Sequence, residues 1–205
     1  MAETLVKVLL VGPPLLFAII LHEIAHGVVA HRLGDDTAQR AGRLTLNPLP
    51  HIDPFGSVLL PLMLTAVGSH FVFGWAKPVP VNFRNLPNPK RDMVSVALAG
   101  PGTNIILAVL SAVVAHVVAP QRIDWLTAMA VVSVEINVVL AVFNLIPILP
   151  LDGGRVLFGL LPRAPALAFA RLEPYGMLIV MALLFTGTLS AIVGPVATFM
   201  IHTLL

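Results

Sequence analysis

Two histidines four residues apart with a glutamate beside the first, His22-Glu23-Ile24-Ala25-His26, are the residues of this chain best placed to do chemistry. On a helix, positions i and i+4 face the same way, so both imidazoles can reach one metal ion while Glu23 lies one step round the helix. Two neutral nitrogen ligands and an adjacent carboxylate suit Zn²⁺ and a water that must lose a proton. The motif is short: with seven histidines and four glutamates in 205 residues, chance would place it in roughly half a percent of such chains, so its surroundings must carry the argument. Those surroundings are apolar. Ionisable side chains inside a membrane-length apolar run are costly to bury and mark functional sites by default.

The elements that position the motif follow from hydropathy and from prolines. Residues 5–33 form the first membrane helix, with Pro13-Pro14 as a kink or late start and the histidines in its C-terminal half. Residues 40–91 are a β or re-entrant region: Leu44 and Leu46 alternate with Arg43 and Thr45 in a short strand, residues 55–73 are apolar, and the prolines of 74–91 forbid helix and keep that stretch extended. Core helices follow at 93–119 and 126–146. An Asp-bearing turn and a short helix occupy 147–161, and a small interfacial helix 166–173. Residues 174–204 exceed one straight span and are interrupted at Gly187 and at Gly194-Pro195, giving one kinked helix or two short ones. The expected architecture is a single membrane-embedded domain, 1–205: an all-α polytopic membrane protein of about five to six membrane segments with short re-entrant or β elements.

Composition agrees. The chain is 58% hydrophobic and 11% charged, with a mean hydropathy of +0.95, far from soluble proteins. Its few basic residues are scattered over loops, which excludes nucleic acid as a partner. It has no cysteine, so a metal must be held by histidines and carboxylates. Glu3, Lys7 and the lack of a small-x-small site argue against a cleaved signal peptide.

Charge sets the topology. If 55–73 crossed the membrane, the basic loops 32–53 and 74–92 would lie on opposite sides, against the positive-inside tendency. A re-entrant excursion leaves ten of the twelve Lys and Arg on the cytoplasmic side, with only Lys7 and Arg122 outside. The same arrangement brings the HEIAH motif and Asp152 to similar depth near the cytoplasmic face of the cell membrane.

A catalytic zinc site usually has three protein ligands, and the histidines supply two. Candidates for the third are Asp152, Asp53, His51, Glu135 and His70. Asp152 is favoured because Pro147 and Pro150 hold the preceding backbone extended and Gly153-Gly154 permit a sharp turn near another helix. It could instead be only the N-cap of the following helix. Glu135 and Asn137 suit a polar lining or helix contact, and Asn104 with Gly100 and Gly102 suits close helix packing.

HEIAH in the first helix, Gly100-Pro101 with Asn104 in the next, and the string Asn144-x-x-Pro147-x-x-Pro150-x-Asp152-Gly153 together resemble the site-2 protease family of intramembrane zinc metalloproteases. AGRLTLNPLPHIDPFG and FGWAKPVPVN are similar to its compact prokaryotic branch, so the likeness runs from about residue 15 to 186. The resemblance implies one Zn²⁺ held by His22, His26 and Asp152, Glu23 as general base, and Asn144, with Asn104, at the substrate or oxyanion. It implies a hydrolase that cuts within or next to transmembrane segments, with a single-span membrane protein and the lipid bilayer as partners. No PDZ-like insertion separates the helices. A helical substrate must unwind before its carbonyl can be attacked, and pairing as an added strand on 40–50 or 78–82 is one expected way to hold it open.

Overall fold

A computed structural model describes residues 2–66 and 76–205. Helix α1 runs over Ala2–Arg32 and continues through Pro13 and Pro14, so the prolines neither start nor end it. After the short α2 (Thr37–Arg40) come a 3₁₀ turn (Leu49–His51), a π-helical turn (Pro54–Leu59) and α3 (Leu60–Ala66). The long helices α4 (Pro89–Val118) and α5 (Asp124–Asn144) form the centre. α6 (Asp152–Leu160), α7 (Arg163–Ala170), α8 (Glu173–Phe185) and α9 (Thr188–Leu204) complete the chain.

Among the described residues three helices can by length and composition cross a membrane, within Val8–Arg32, Pro89–Gln121 and Asp124–Asn144; α7 with α8, bent by 65°, makes up to four. The five to six membrane segments expected from hydropathy also count the stretch 55–73 and take the C-terminal stretch as one or two pieces. Gly187, with a φ of +74°, breaks the apolar C-terminal stretch into helices of 13 and 17 residues, at one of the two interruptions expected there. Gly194-Pro195, by contrast, lie inside α9 without ending it. The stretch 55–73, expected to be re-entrant, falls partly on residues 67–75, outside the described residues.

The expected strand at 43–46 does not form, and no strand occurs among the described residues. The local chemistry explains why. Gly42 is left-handed at φ +64°, Arg43 turns inward to donate to the carbonyls of Lys77 (2.6 Å) and Pro78 (3.3 Å), and Thr45 Oγ1 accepts from Asn47 N–H. Residues 76–82 are extended without helix or ladder. Pro78 and Pro80 carry no N–H, Lys77 N–H goes to His51 O (2.9 Å), and Asn82 N–H goes to Asp35 (2.7 Å). The segment is a strap tied to the body at several points.

α4 packs against α5, α1 and α6, and α5 against α1 and α9. One apolar core, with Ala108, Ala112, Val134, Val138, Leu189 and Val193, joins α4, α5 and α9. Between α1 and α8–α9 a cleft of about 920 Å³ opens, floored on α5 by Val139, Leu140 and Phe143.

Candidate metal centre and catalytic cavity

His22 and His26 stand one turn apart on α1 and both lean on α4. Their room comes from Gly100: a Cβ there would collide with both rings, whereas one on Gly102 would meet nothing within 4 Å. Each ring is then oriented from behind. His22 Nδ1 lies 2.5 Å from Asn104 Oδ1, and His26 Nδ1 lies 2.7 Å from Val96 O. A carbonyl oxygen only accepts, so both Nδ1 atoms carry the proton and both Nε2 atoms present lone pairs.

Asp152 enters from the opposite side. After α5 the chain makes compact turns with a cis Leu149-Pro150 bond, rather than the extended run expected from its prolines. Gly153 and Gly154 keep ordinary backbone angles; they are glycine because their α-carbons press on the backbone of residues 145–149. The N-cap of α6 is Leu151, and no side chain caps the helix. Asp152 therefore does not cap; its Oδ2 lies 3.2 Å from His22 Nε2 and 3.4 Å from His26 Nε2.

The two Nε2 atoms are 3.1 Å apart. Three acceptors thus face one another, the histidines buried and the Asp152 side chain 12% exposed, and among the described residues Asp152 Oδ2 has no hydrogen-bond partner. Such a cluster is repulsive unless a cation sits inside it. Donors bound to zinc at about 2.0–2.1 Å in a tetrahedron lie about 3.3–3.4 Å apart, which matches the observed separations. His22, His26 and Asp152 form the one group among the described residues able to hold a metal in this way.

Beside the triad is a cavity of about 200 Å³, lined in part by His22, Glu23, Phe143, Asn144 and Met177. Glu23 Oε2 accepts from Val79 N–H of the strap at 2.7 Å. Asn144 Nδ2 donates to Leu140 O at 2.9 Å, which orients its amide on the cavity wall. Ile19, Ala76, Leu140, Phe143 and Val180 line both this cavity and the large cleft, so the two adjoin.

Other candidates fall elsewhere. Asn104 is fully buried behind His22, its Nδ2 donating to Ala18 O (3.2 Å) and Asn137 Oδ1 (2.8 Å); it lines neither cavity, contrary to the expectation that it meets substrate. His51 is buried, and its Nε2 donates to Thr45 O at 2.9 Å. Asp53 caps the π-helical turn through Phe55 and Gly56 N–H. Glu135 is exposed on α5, and His70 is outside the described residues. Sequence reasoning missed the Val79 contact to Glu23 and the buried Asp35, which accepts from Thr37, Asn82 and Asn85. The alternation of Pro78 and Pro80 around Val79 was the available signal for the first.

A helical membrane protein with a two-histidine, one-aspartate metal centre and a glutamate at its edge belongs to the zinc metalloprotease class by fold and chemistry. The comparisons specify the family. The model for peptidase family M50 matches residues 120–187, which contain Asn144 and Asp152 and lie outside the HEIAH motif. “Putative zinc metalloprotease YwhC” of Bacillus subtilis is 36% identical over 188 residues, covering 88% of this chain and 82% of the relative. The likewise named Rip2 of Mycolicibacterium smegmatis is 34% identical over 181 residues, covering 85% and 66%. No solved structure gives a significant match. The chain belongs to peptidase family M50 and is a multi-pass membrane zinc metalloprotease.

Proposed function

We propose that the chain is an intramembrane endopeptidase that hydrolyses peptide bonds within or next to transmembrane segments of other membrane proteins, in regulated intramembrane proteolysis. The observation that carries this is the convergence of His22, His26 and Asp152 beside a cavity that adjoins a largely apolar cleft. His22, His26 and Asp152 hold Zn²⁺, which when bound lowers the pKa of water towards about 7 and polarises a carbonyl.

The chain's own residues do the rest. Glu23, held through Oε2 by Val79 N–H, takes the proton of the attacking water and returns it to the leaving amide nitrogen. The Asn144 amide, fixed by Leu140 O, supports the oxyanion as the carbonyl becomes tetrahedral. The apolar cleft between α1, α5, α8 and α9 takes the substrate's single transmembrane segment from the bilayer. On 78–82, Val79 and Asn82 N–H are turned inward and the two prolines have no N–H, so a substrate strand added there would pair through the carbonyls and Val81. His22 lies ten residues before Arg32, the end of α1, about 15 Å along the axis. The basic side chains Arg32, Arg40, Arg43 and Lys77 follow that end, which supports a site towards the cytoplasmic face of the cell membrane.

The test is cleavage of a panel of single-span substrates by purified wild type and Glu23→Gln, with bound zinc measured in both. The expected result is one zinc per chain in each and a loss of about 10²–10⁴-fold in kcat for the variant. Cleavage by both at the same rate would remove Glu23 as base, and zinc binding without cleavage of any membrane protein would favour a silent relative.

A further inference from the structure

Asn137 lies one turn along α5 from Ser133 and touches neither cavity, yet it is buried to 1% exposure in the middle of the molecule. We propose that Asn137 is a positioning residue for the metal centre, which, through Asn104, fixes the ring nitrogen of His22 that carries the proton; this rests on His22 being a zinc ligand.

The argument is a count of donors and acceptors. Asn137 Nδ2 donates to Ser133 O at 2.9 Å. Because a backbone carbonyl only accepts, the amide has one orientation, with Oδ1 turned to α4. There it accepts from Asn104 Nδ2 at 2.8 Å. The other proton of Asn104 Nδ2 goes to Ala18 O, a second carbonyl with no alternative role. Both donors of Asn104 are therefore spent, and its Oδ1 must face His22 Nδ1, 2.5 Å away. His22 then donates from Nδ1 and leaves Nε2 as a lone pair.

The flipped arrangement is unfavourable at each link. Turning the Asn104 amide would set its Oδ1 against Ala18 O and Asn137 Oδ1, acceptor against acceptor, in a buried site where neither finds water. It would also present N–H to His22 Nδ1, moving the ring proton to Nε2, where it would block the metal. The donors all run one way, from His22 through Asn104 and Asn137 to Ser133, and Nδ2 of Asn137 also reaches Ser133 Oγ at 3.3 Å. Ser133 Oγ lies in turn 2.8 Å from Ser111 Oγ. Bonds aligned head to tail polarise one another. Metal-bound histidines commonly give their second N–H to a carboxylate or a backbone carbonyl. Here His26 uses the carbonyl of Val96, while His22 uses a neutral amide, which can face either way and is held by Asn137 Oδ1, the shorter bond, together with Ala18 O.

The experiment is zinc affinity by chelator competition for wild type, His22→Ala, Asn137→Leu, Asn104→Leu, the double variant and Ser133→Ala. Loss of zinc by His22→Ala checks the ligand assignment beneath the proposal, and unchanged affinity there would remove that assignment. Asn137→Leu is expected to weaken zinc by about 10–100-fold, and Asn104→Leu by at least as much. The double variant should bind no more weakly than Asn104→Leu alone, since Asn137 acts through Asn104. Ser133→Ala keeps the backbone carbonyl and should stay within about twofold of wild type. Asn137→Leu at wild-type affinity, or losses that multiply in the double variant, would overturn the proposal. Should Asn137→Leu not fold, nitrogen-15 NMR of the zinc-free wild type decides: protonation of His22 at Nδ1 supports it, and at Nε2 overturns it.

Discussion

The two sides of the cleft are built on opposite principles. On the α1–α4–α5 side, polar atoms are committed to partners: Asn104 spends both amide protons, His26 gives its proton to Val96 O, and Asn137 ends its chain on Ser133. On the α8–α9 side the wall is apolar, with Ser190 and Thr198 as its hydroxyl-bearing positions, and other side chains of α9, such as Ile192 and Phe199, are exposed to the surroundings. A metal centre must be held to within a few tenths of an ångström, and that takes a saturated network. A site for many different apolar helices needs room and adaptable surface. Each side can be changed without the other, so zinc affinity and substrate affinity are expected to separate.

The largest separation should come from Asp152→Ala. It removes one of three converging donors and leaves the cleft intact. Cleavage should fall to background and zinc affinity by more than the ~10–100-fold typical of losing a residue behind a ligand. Full zinc occupancy at limiting metal, with activity retained, would take Asp152 out of the centre.

Next is a pair on one helix turn. Gly100→Ala puts a methyl group against both imidazoles, while Gly102→Ala meets open space. Overpacking of this kind costs about 1–3 kcal/mol, and here it is relieved by pushing the ligands apart, so zinc should bind at least about tenfold more weakly. Gly102→Ala should leave zinc untouched and raise thermal stability slightly, because alanine favours helix by about 1 kcal/mol over glycine. Equal effects at the two positions would mean that the contact with the rings is not what Gly100 is for.

The opposite wall is probed by Ser190→Trp. Ser190 is exposed and lines the cleft, so the indole fills space rather than disturbing the core. Zinc affinity and unfolding temperature should stay as in wild type while KM for a single-span substrate rises about tenfold, the scale of 1–3 kcal/mol for altered apolar packing. An unchanged KM would place the substrate outside this cleft.

How far the sequence reveals this molecule follows the same division. The helix period makes His22 and His26 neighbours wherever α1 forms, and the spacing from Asn144 to Asp152 survives the unexpected turns between them because both ends are anchored on helices. For the same reason the sequence places the three long helices to within a few residues of α1, α4 and α5. The failures are non-local. Residues 43–46 alternate like a strand, but Arg43 found two carbonyls 34 and 35 residues away, and the strap that might have paired with it gives Val79 N–H to Glu23. Gly100 and Gly102 are indistinguishable in the sequence; only the packing of α1 against α4 separates them. Gly187 and Gly194-Pro195 look equally disruptive, yet only the first adopts a left-handed backbone.

The smallest effect concerns the strap and comes from pH. Asp35 is fully buried just beyond α1. Burial alone would push its carboxyl up, but the hydrogen bonds from Thr37, Asn85 and Asn82 outweigh it and hold it below its ordinary value of 3.8. A carboxyl lowered in the folded state stabilises the fold above its unfolded value, and that contribution is lost as pH falls through the folded value. The window therefore lies below about pH 4. Wild type should lose part of its advantage over Asp35→Asn there, whereas from pH 5 to 8 the difference should be constant, measured as thermal unfolding of the two proteins in the same detergent. Because Asn82 is three residues from Val79, the Asp35→Asn chain should also cut somewhat more slowly at neutral pH with zinc fully bound, the strap holding Glu23 less firmly. A stability difference that did not shrink on acidification would show that Asp35 holds the strap by shape rather than by charge.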